Sequence, residues 1–430
     1  MTTERPEAQT AGAQPGQPFS VMVKPVGAVC NMRCNYCYYL NPDADGGIAT
    51  MSDEVLEAFI EQYTQAGAGG EVSFVWHGGE PTLAGIDFYA RVVALQAKHA
   101  PPGTVCRNNL QTNGILLDEA WCAFLAEHRF DVGLSVDGTA ALHDANRLDC
   151  GGSGTYARVA AALGRLQAHG IQPDLLCTVH AATAEQPQAV YQALRSFETG
   201  WMQFIPVVRR DAQGNVTADS VTAQAYGGFL CAVFDAWVSD GVGTVDIQLF
   251  AEAMRILEGG AAGLCMMAPT CGRALIVEMD GSVYTCDHFV DKAHKTGNIL
   301  QTHLRELANC PAQVAFGNAK RDALAAKCQT CVRLALCGGG CPKDRFVPCA
   351  DRSPDLYCLC TGLLQFYHHA QAGLQAVADE AKRGYILPTA AILARMTEAS
   401  RAAWSGVGRN DACPCGSGLK AKRCCWDRRL

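Results

Sequence analysis

The 430 residues predict an α/β fold whose parallel sheet closes wholly or partly into a barrel, followed by a small cysteine-rich domain. Three observations carry this reading. Between Phe19 and about Ile205, short apolar runs alternate with longer stretches of helical periodicity, the signature of βαβ units. After about residue 260, cysteines and glycines crowd and long periodic segments thin out, as in a domain held by metal rather than by a large core. The chain has 23 cysteines, an odd number that excludes complete disulfide pairing. The opening MTTERPEAQTAGAQPGQP has no apolar segment of a secretory signal, so a cytoplasmic, reducing setting is expected. Closely spaced thiols there point to metal or iron–sulfur ligation.

Composition removes other classes. Hydrophobic residues make up 49% and charged residues 18%, which excludes global disorder. A formal charge of -7 and the lack of a long basic stretch argue against nucleic-acid binding. Apolar runs such as Phe229 to Trp237 fall short of the ~18 residues that span a bilayer, so no membrane insertion is expected.

Residues 1–18, rich in Pro, Gln, Ala and Thr, read as a disordered tail. Ser20 to Val26 reads as a strand. A helix over Ser52 to Ala66 follows, capped by Ser52, with Val55, Leu56, Phe59, Ile60 and Tyr63 on one face. Strands are expected at Val72–Trp76, Asn109–Thr112, Val132–Val136, Asp174–Val179 and Trp201–Ile205. The intervening helices are placed at Phe88–His99, Asp118–His128, Tyr156–Ala168 and Pro187–Phe197. Functional residues should then lie at the C-terminal ends of the strands. Residues 366–405 read as helical and Ala-rich, and the last twenty or so form a separate cysteine-rich module.

Cys30, Cys34 and Cys37 form C-x3-C-x2-C directly after the first strand. Three thiolates on one loop can hold three irons of a [4Fe–4S] cluster and leave the fourth open to a small molecule. A zinc site or three unrelated thiols is the simpler alternative. Gly78-Gly79-Glu80-Pro81 follows the second strand, where glycine permits close backbone approach to a ligand. Ser135-Val136-Asp137-Gly138 ends another strand, and Arg147 follows, its guanidinium suited to a carboxylate. Farther on, Cys265, Cys271, Cys286, Cys328, Cys331, Cys337, Cys341 and Cys360 supply eight thiols. They suffice for two four-thiolate sites, or for one zinc site with spares. Asp280-Gly281 reads as a hairpin turn. The end carries Cys413, Cys415, Cys424 and Cys425 as C-x-C-x8-C-C, a spacing suited to tetrahedral zinc.

The segments KPVGAVCNMRCNYCYY, GGEPTLAG, LQTNGILLDEAW, VGLSVDG, LHDANRLDCGGSGTY and DGSVYTCDHFV together resemble the anaerobic sulfatase-maturating enzymes, from about residue 20 to 370. These are radical S-adenosylmethionine (SAM) enzymes with a SPASM domain. The resemblance implies a partial (β/α)6 barrel over 19–260 and a SPASM domain with two auxiliary clusters over 261–370. A helical linker over 371–405 and a zinc motif similar to the SEC-C motif over 406–430 complete the chain. It implies three [4Fe–4S] clusters, about twelve irons, with SAM on the open iron held by Cys30, Cys34 and Cys37. Gly78, Gly79 and Glu80 are expected at the SAM amino group, Ser135 and Arg147 near its carboxylate, and Tyr36 and Val208 at adenosine. Cys265, Cys271, Cys286 and Cys341 are assigned to the first auxiliary cluster. Cys328, Cys331, Cys337 and Cys360 are assigned to the second, with Cys358 competing for the last place.

The implied reaction oxidises one Cys or Ser of a sulfatase polypeptide to Cα-formylglycine, with Asp287 as base, Tyr39 orienting substrate, and a flavodoxin or ferredoxin as reductant. The C-terminal motif is expected either to dock a partner or to act as a staple. His77 departs from the Gln of some relatives. A SPASM maturase that crosslinks a ribosomally made peptide is the nearest alternative, and a zinc-binding scaffold the next.

Overall fold

The computed structural model describes residues 18–39, 49–346 and 356–428. The expected N-terminal tail lies, but for Pro18, outside them. Among the described residues, ten strands form one sheet: β1 (Ser20–Lys24), β2 (Glu71–Trp76), β3 (Val105–Thr112), β4 (Asp131–Ser135), β5 (Asp174–Val179), β6 (Trp201–Pro206), β7 (Asp246–Ile247), β8 (Ala274–Glu278), β9 (Ser282–Tyr284) and β10 (Lys295–Asn298). Their order is β10-β9-β8-β1-β2-β3-β4-β5-β6-β7. Every pairing from β8 through β1 to β7 is parallel, and β9 and β10 add an antiparallel margin. The two edges, β7 and β10, are not paired with each other, so the barrel stays open.

The helices lie where the periodicity places them. Asp53–Ala66 is capped by the Ser52 hydroxyl, which accepts from Val55 N at 3.3 Å, and it buries Val55, Leu56, Phe59, Ile60 and Tyr63. Phe59 meets Phe74 and Trp76 of the sheet edge-on, a favourable aromatic arrangement. Tyr156–Ala168 matches its expected bounds, and Pro187–Arg195 starts on its proline.

Three features depart from the sequence reading. β3 begins at Val105, four residues before its expected start, because its polar VCRNN half still pairs with β2. The sheet also runs past the expected boundary at residue 260: β8 (ALIVE) lies against β1, its consecutive Leu275, Ile276 and Val277 all buried as in a strand with both faces covered. Finally, the helical stretch over 366–405 is two helices, Cys360–Ala381 and Thr389–Trp404, separated by a segment with Gly384 at φ +77° and Pro388. The first of them packs on Ala223–Asp240 so closely that a Cβ on Gly362 would lie 2.0 Å from the Ala223 carbonyl oxygen. Among the described residues no helix is long and apolar enough to cross a membrane.

Candidate active site and thiol clusters

The parallel strands deliver their loops to one end of the sheet. Lys24 ends β1, His77-Gly78-Gly79-Glu80 follows β2, Asn113 follows β3, Ser135 ends β4, His180 follows β5 and Val208 lies just beyond β6. Loops after parallel strands carry the chemistry of such folds, because the strands fix their roots.

Cys30, Cys34 and Cys37 lie on the loop after β1, all with free thiols. Burial pushes the Cys30 thiol up to about 12, and the Glu80 carboxylate adds to this. Burial also raises Cys34, with Arg147 the chief opposing influence. Polar donors already face this sulfur: Met32 N stands 3.4 Å from Cys30 Sγ and Asn113 Nδ2 3.8 Å from it. Buried thiols of raised pKa are poor nucleophiles but sound metal ligands, since a cation offsets the charge that burial penalises.

The glycine pair explains how the loop is seated. Gly79 N donates to Gly27 O at 2.9 Å, and a Cβ at Gly79 would meet Val29 O at 2.0 Å. No other residue fits that approach. Glu80, 1% exposed, is fully engaged by protein donors. It accepts from Thr82 N (3.1 Å), Thr112 Oγ1 (2.7 Å) and Asn113 N (2.8 Å). The structure thus makes Glu80 a brace between β2 and β3.

Arg147 is buried and paired with Asp137, Nε to Oδ2 at 3.0 Å. Asp137 also accepts from the Tyr36 hydroxyl and, at 2.9 Å, from Thr178 N. Burial alone would raise the Asp137 carboxyl, but Arg147, Tyr36 and Thr178 together hold it below its ordinary range. Tyr36, whose ring lies 5.5 Å from the guanidinium carbon and 6.1 Å from the His180 ring, belongs to the same group. Ser135 is half-buried at the end of β4, and Val208 is buried with its carbonyl 3.5 Å from Lys343 Nζ.

Asp287 lies on the loop after β9. Its carboxylate forms an ion pair with Lys24, which is fully buried, and accepts the Tyr38 hydroxyl. Burial would raise this carboxyl, but Lys24, His77 and Tyr38 outweigh it and hold the group well below the usual carboxylate range. The Lys24 ammonium lies 3.3 Å from the centre of the Tyr39 ring, a cation–π contact, and the Tyr39 hydroxyl donates to Glu278. Lys24, Tyr38 and Asp137 were not singled out from the sequence. A lysine closing the apolar strand SVMVK was the one available signal.

The later thiols fall into two neighbourhoods. Burial pushes Cys286 and Cys341 up to about 12, and in each case Cys265 adds to the effect. Cys265 likewise acts on Cys271. Around the second, burial raises Cys360 to about 12 and Cys337 to about 11, with Cys328 and Cys331 adding to both. Cys358 is disulfide-bonded, whereas Cys360 keeps a free thiol. Between the two neighbourhoods, the buried Lys320 ammonium donates to the carbonyls of Cys265 (2.7 Å) and Met266 (2.9 Å). Arg345 binds the Gly339 and Lys320 carbonyls at 2.9 and 2.6 Å.

The C-terminal thiols are arranged differently. Cys413, Cys415, Cys424 and Cys425 are, among the described residues, the one group of possible ligands all within 4.8 Å of one another. Cys415 and Cys424 are 3.4 Å apart, and Cys424 and Cys425 3.5 Å. A tetrahedral ion with ~2.3 Å metal–sulfur bonds needs sulfurs about 3.8 Å apart, so this quartet is a metal site for a single ion. Among the described residues, no three thiols of the other sets lie all within 4.8 Å of one another. Of the remaining cysteines, Cys122, Cys177 and Cys231 are buried, Cys106 and Cys310 half-buried and Cys150 exposed. Cys349 lies outside the described residues.

Comparison with known proteins agrees with this layout. Residues 25–193 match the radical SAM superfamily, 265–332 an iron–sulfur cluster-binding (SPASM) domain and 409–427 the SEC-C motif. The serine-type anaerobic sulfatase-maturating enzyme of Bacteroides thetaiotaomicron is 38% identical over 371 residues, 82% of this chain and 89% of that protein. The cysteine-type enzyme of Clostridium perfringens is 33% identical over 374 residues, 85% of this chain and all of that one. A solved structure of native anSMEcpe with bound AdoMet and Cp18Cys peptide superposes with a TM-score of 0.76 at 33% identity, again covering 85% of this chain and all of that one.

Proposed function

The chain belongs to the anaerobic sulfatase-maturating enzymes of the radical SAM superfamily, and from that membership we propose that it oxidises the Cβ of a Cys or Ser in a sulfatase polypeptide to Cα-formylglycine, with Asp287 as proton acceptor. The observation that carries the proposal is the joining of two loops. Tyr38, next to Cys37, holds Asp287, next to Cys286. Proton acceptor and radical site are thereby kept side by side.

In this reading Cys30, Cys34 and Cys37 hold a [4Fe–4S] cluster with SAM on its open iron. Cys265, Cys271, Cys286 and Cys341 hold a first auxiliary cluster, Cys328, Cys331, Cys337 and Cys360 a second, and the C-terminal quartet zinc. The tight spacing of the C-terminal quartet fits a single ion, and the number and grouping of the other thiols support the cluster reading. When bound, the first cluster and SAM supply a 5'-deoxyadenosyl radical that takes a hydrogen atom from the target Cβ.

The protein's own residues do the rest. Gly78 and Gly79 seat the three-thiol loop by close backbone approach to Gly27 and Val29 and so place their backbone at the SAM amino group, and Arg147 faces the SAM carboxylate while Asp137 fixes the guanidinium. Ser135 adds a hydroxyl at the same strand end, and Tyr36 and Val208 wall the adenosine. Asp287, anionic beside Lys24, accepts the thiol or hydroxyl proton at a carboxylate oxygen. Its weak basicity suffices, because loss of the Cβ hydrogen makes the attached S–H or O–H much more acidic. Tyr39, fixed by Lys24 and Glu278, orients the substrate side chain. Lys320 and Arg345 tie down the loops around the auxiliary sites, whose clusters would take up the remaining electron, and a flavodoxin or ferredoxin would serve as the reductant. Identity of 33–38% along most of the chain favours this over peptide crosslinking.

Anaerobic incubation of sulfatase peptides with SAM and reductant tests the proposal. A loss of roughly 18 Da from Cys or 2 Da from Ser, with a product that reacts as an aldehyde, is expected. A 2 Da loss without a reactive aldehyde would instead support the crosslinking alternative.

A further inference from the structure

The C-terminal module does not stand apart from the rest of the chain. A cavity of about 300 Å³ is lined by Cys328, Cys331, Cys337 and Cys360, and its remaining wall includes Cys415 and Gly416 of the module. Lys327, beside the first of these thiols, reaches the Ser417 carbonyl at 3.4 Å. A run of rings anchors the other side: His368 on helix Cys360–Ala381 meets Trp404 at 6.1 Å, and Trp404 meets Trp426 edge-on at 5.9 Å. Arg333 lines the same cavity as Cys331 and Cys415. Burial lowers its pKa, while Cys331 and Cys415 both act to raise it.

We infer that the C-terminal four-thiol module is the outer wall of the second auxiliary cluster's site, and that Arg333, on the cavity wall that both sulfur groups share, sets that cluster's reduction potential. The inference rests on the reading that Cys328, Cys331, Cys337 and Cys360 hold such a cluster. Cluster potentials respond to nearby charge and to water. A four-thiolate zinc site carries net negative charge and keeps water from the cavity, so both effects lower the potential of its neighbour. Arg333 offsets part of that negative charge. Of the other cations that act on these thiols, Arg345 is held by the Gly339 and Lys320 carbonyls and keeps those bonds when the module is removed, whereas Lys327 loses its bond to Ser417 O.

Potentiometric titration of the anaerobically reconstituted full chain, read by low-temperature spin resonance, tests this against two variants. Deleting residues 409–430 should raise the potential of one cluster and speed its bleaching by oxygen, leaving the other two unchanged. Arg333→Gln should lower the potential of that same cluster with the module's zinc still bound, and, as a point change at a half-buried position, it keeps the test valid where the deletion fails to fold. An unmoved potential in Arg333→Gln, or an equal shift of all three clusters in the deletion, overturns the inference. About eight irons per wild-type chain instead of about twelve overturns the cluster assignment, and the inference with it. Twelve irons with unmoved potentials overturns the inference alone.

Discussion

The Tyr38 hydroxyl donates to the Asp287 carboxylate across 249 positions of sequence. This bond ties the loop of the first three thiols to the loop of Cys286. Asp287→Asn keeps the shape of the side chain and removes its proton-accepting charge. Aldehyde formation should fall by about 10²–10⁴-fold, while SAM cleavage without peptide persists. Quantifying both products from one reaction checks this, and undiminished aldehyde would remove Asp287 from the reaction.

Lys24 is fully buried and has the Asp287 carboxylate as its ion-pair partner. Lys24→Met leaves that carboxylate buried without its counter-charge. Breaking such a pair from one side costs about 3–5 kcal/mol. The denaturant midpoint of the variant should drop accordingly under anaerobic conditions, and Lys24→Arg should recover part of the loss. A midpoint equal to wild type would show that Asp287 finds its compensation elsewhere.

Gly79 has no room for a methyl group, since its Cβ would lie 2.0 Å from Val29 O. Gly79→Ala should push the three-thiol loop off its seat and lose about four of about twelve irons. The auxiliary clusters should remain. Iron analysis with spin resonance reads both, and a full iron complement with normal SAM binding would contradict the packing argument.

How much of this the residues announce depends on whether the signal is local. Cys30, Cys34 and Cys37, the Gly78-Gly79 pair and the C-terminal quartet are legible because each is one short run with fixed spacing. The helices from Ser52 and Tyr156 are legible because their apolar faces repeat at helical period. Lys24 with Asp287, and Arg147 with Asp137, are pairs made by topology, and no spacing reveals them. β8 was hidden because ALIVE sits among cysteines and reads as part of a small domain, although its partner is β1. The break at 382–388 was masked by alanines on both sides, with only Gly384 and Pro388 marking it.

His143 gives a pH signature. Its ring is buried, with Nδ1 3.2 Å from Asp137 N and Nε2 3.0 Å from Thr155 Oγ1. Thr155 donates onward to Arg147 O, so the ring is neutral, accepting at Nδ1 and donating at Nε2. Burial, with Arg147 adding, lowers its pKa from 6.5 to about 4. A depressed pKa means stability that is present above 6.5 and lost as pH falls through about 4. Across that window the melting temperature of the wild type should fall more steeply than that of His143→Gln. Parallel curves would rule out the neutral ring as the cause.

The most direct measurement follows one hydrogen atom. A sulfatase peptide with deuterium on the Cβ of its target Cys or Ser is incubated anaerobically with the reconstituted chain, SAM and reductant. Deuterium in the 5'-deoxyadenosine, together with an aldehyde at the labelled residue, is the expected result. Deoxyadenosine free of deuterium beside a modified peptide would contradict the account.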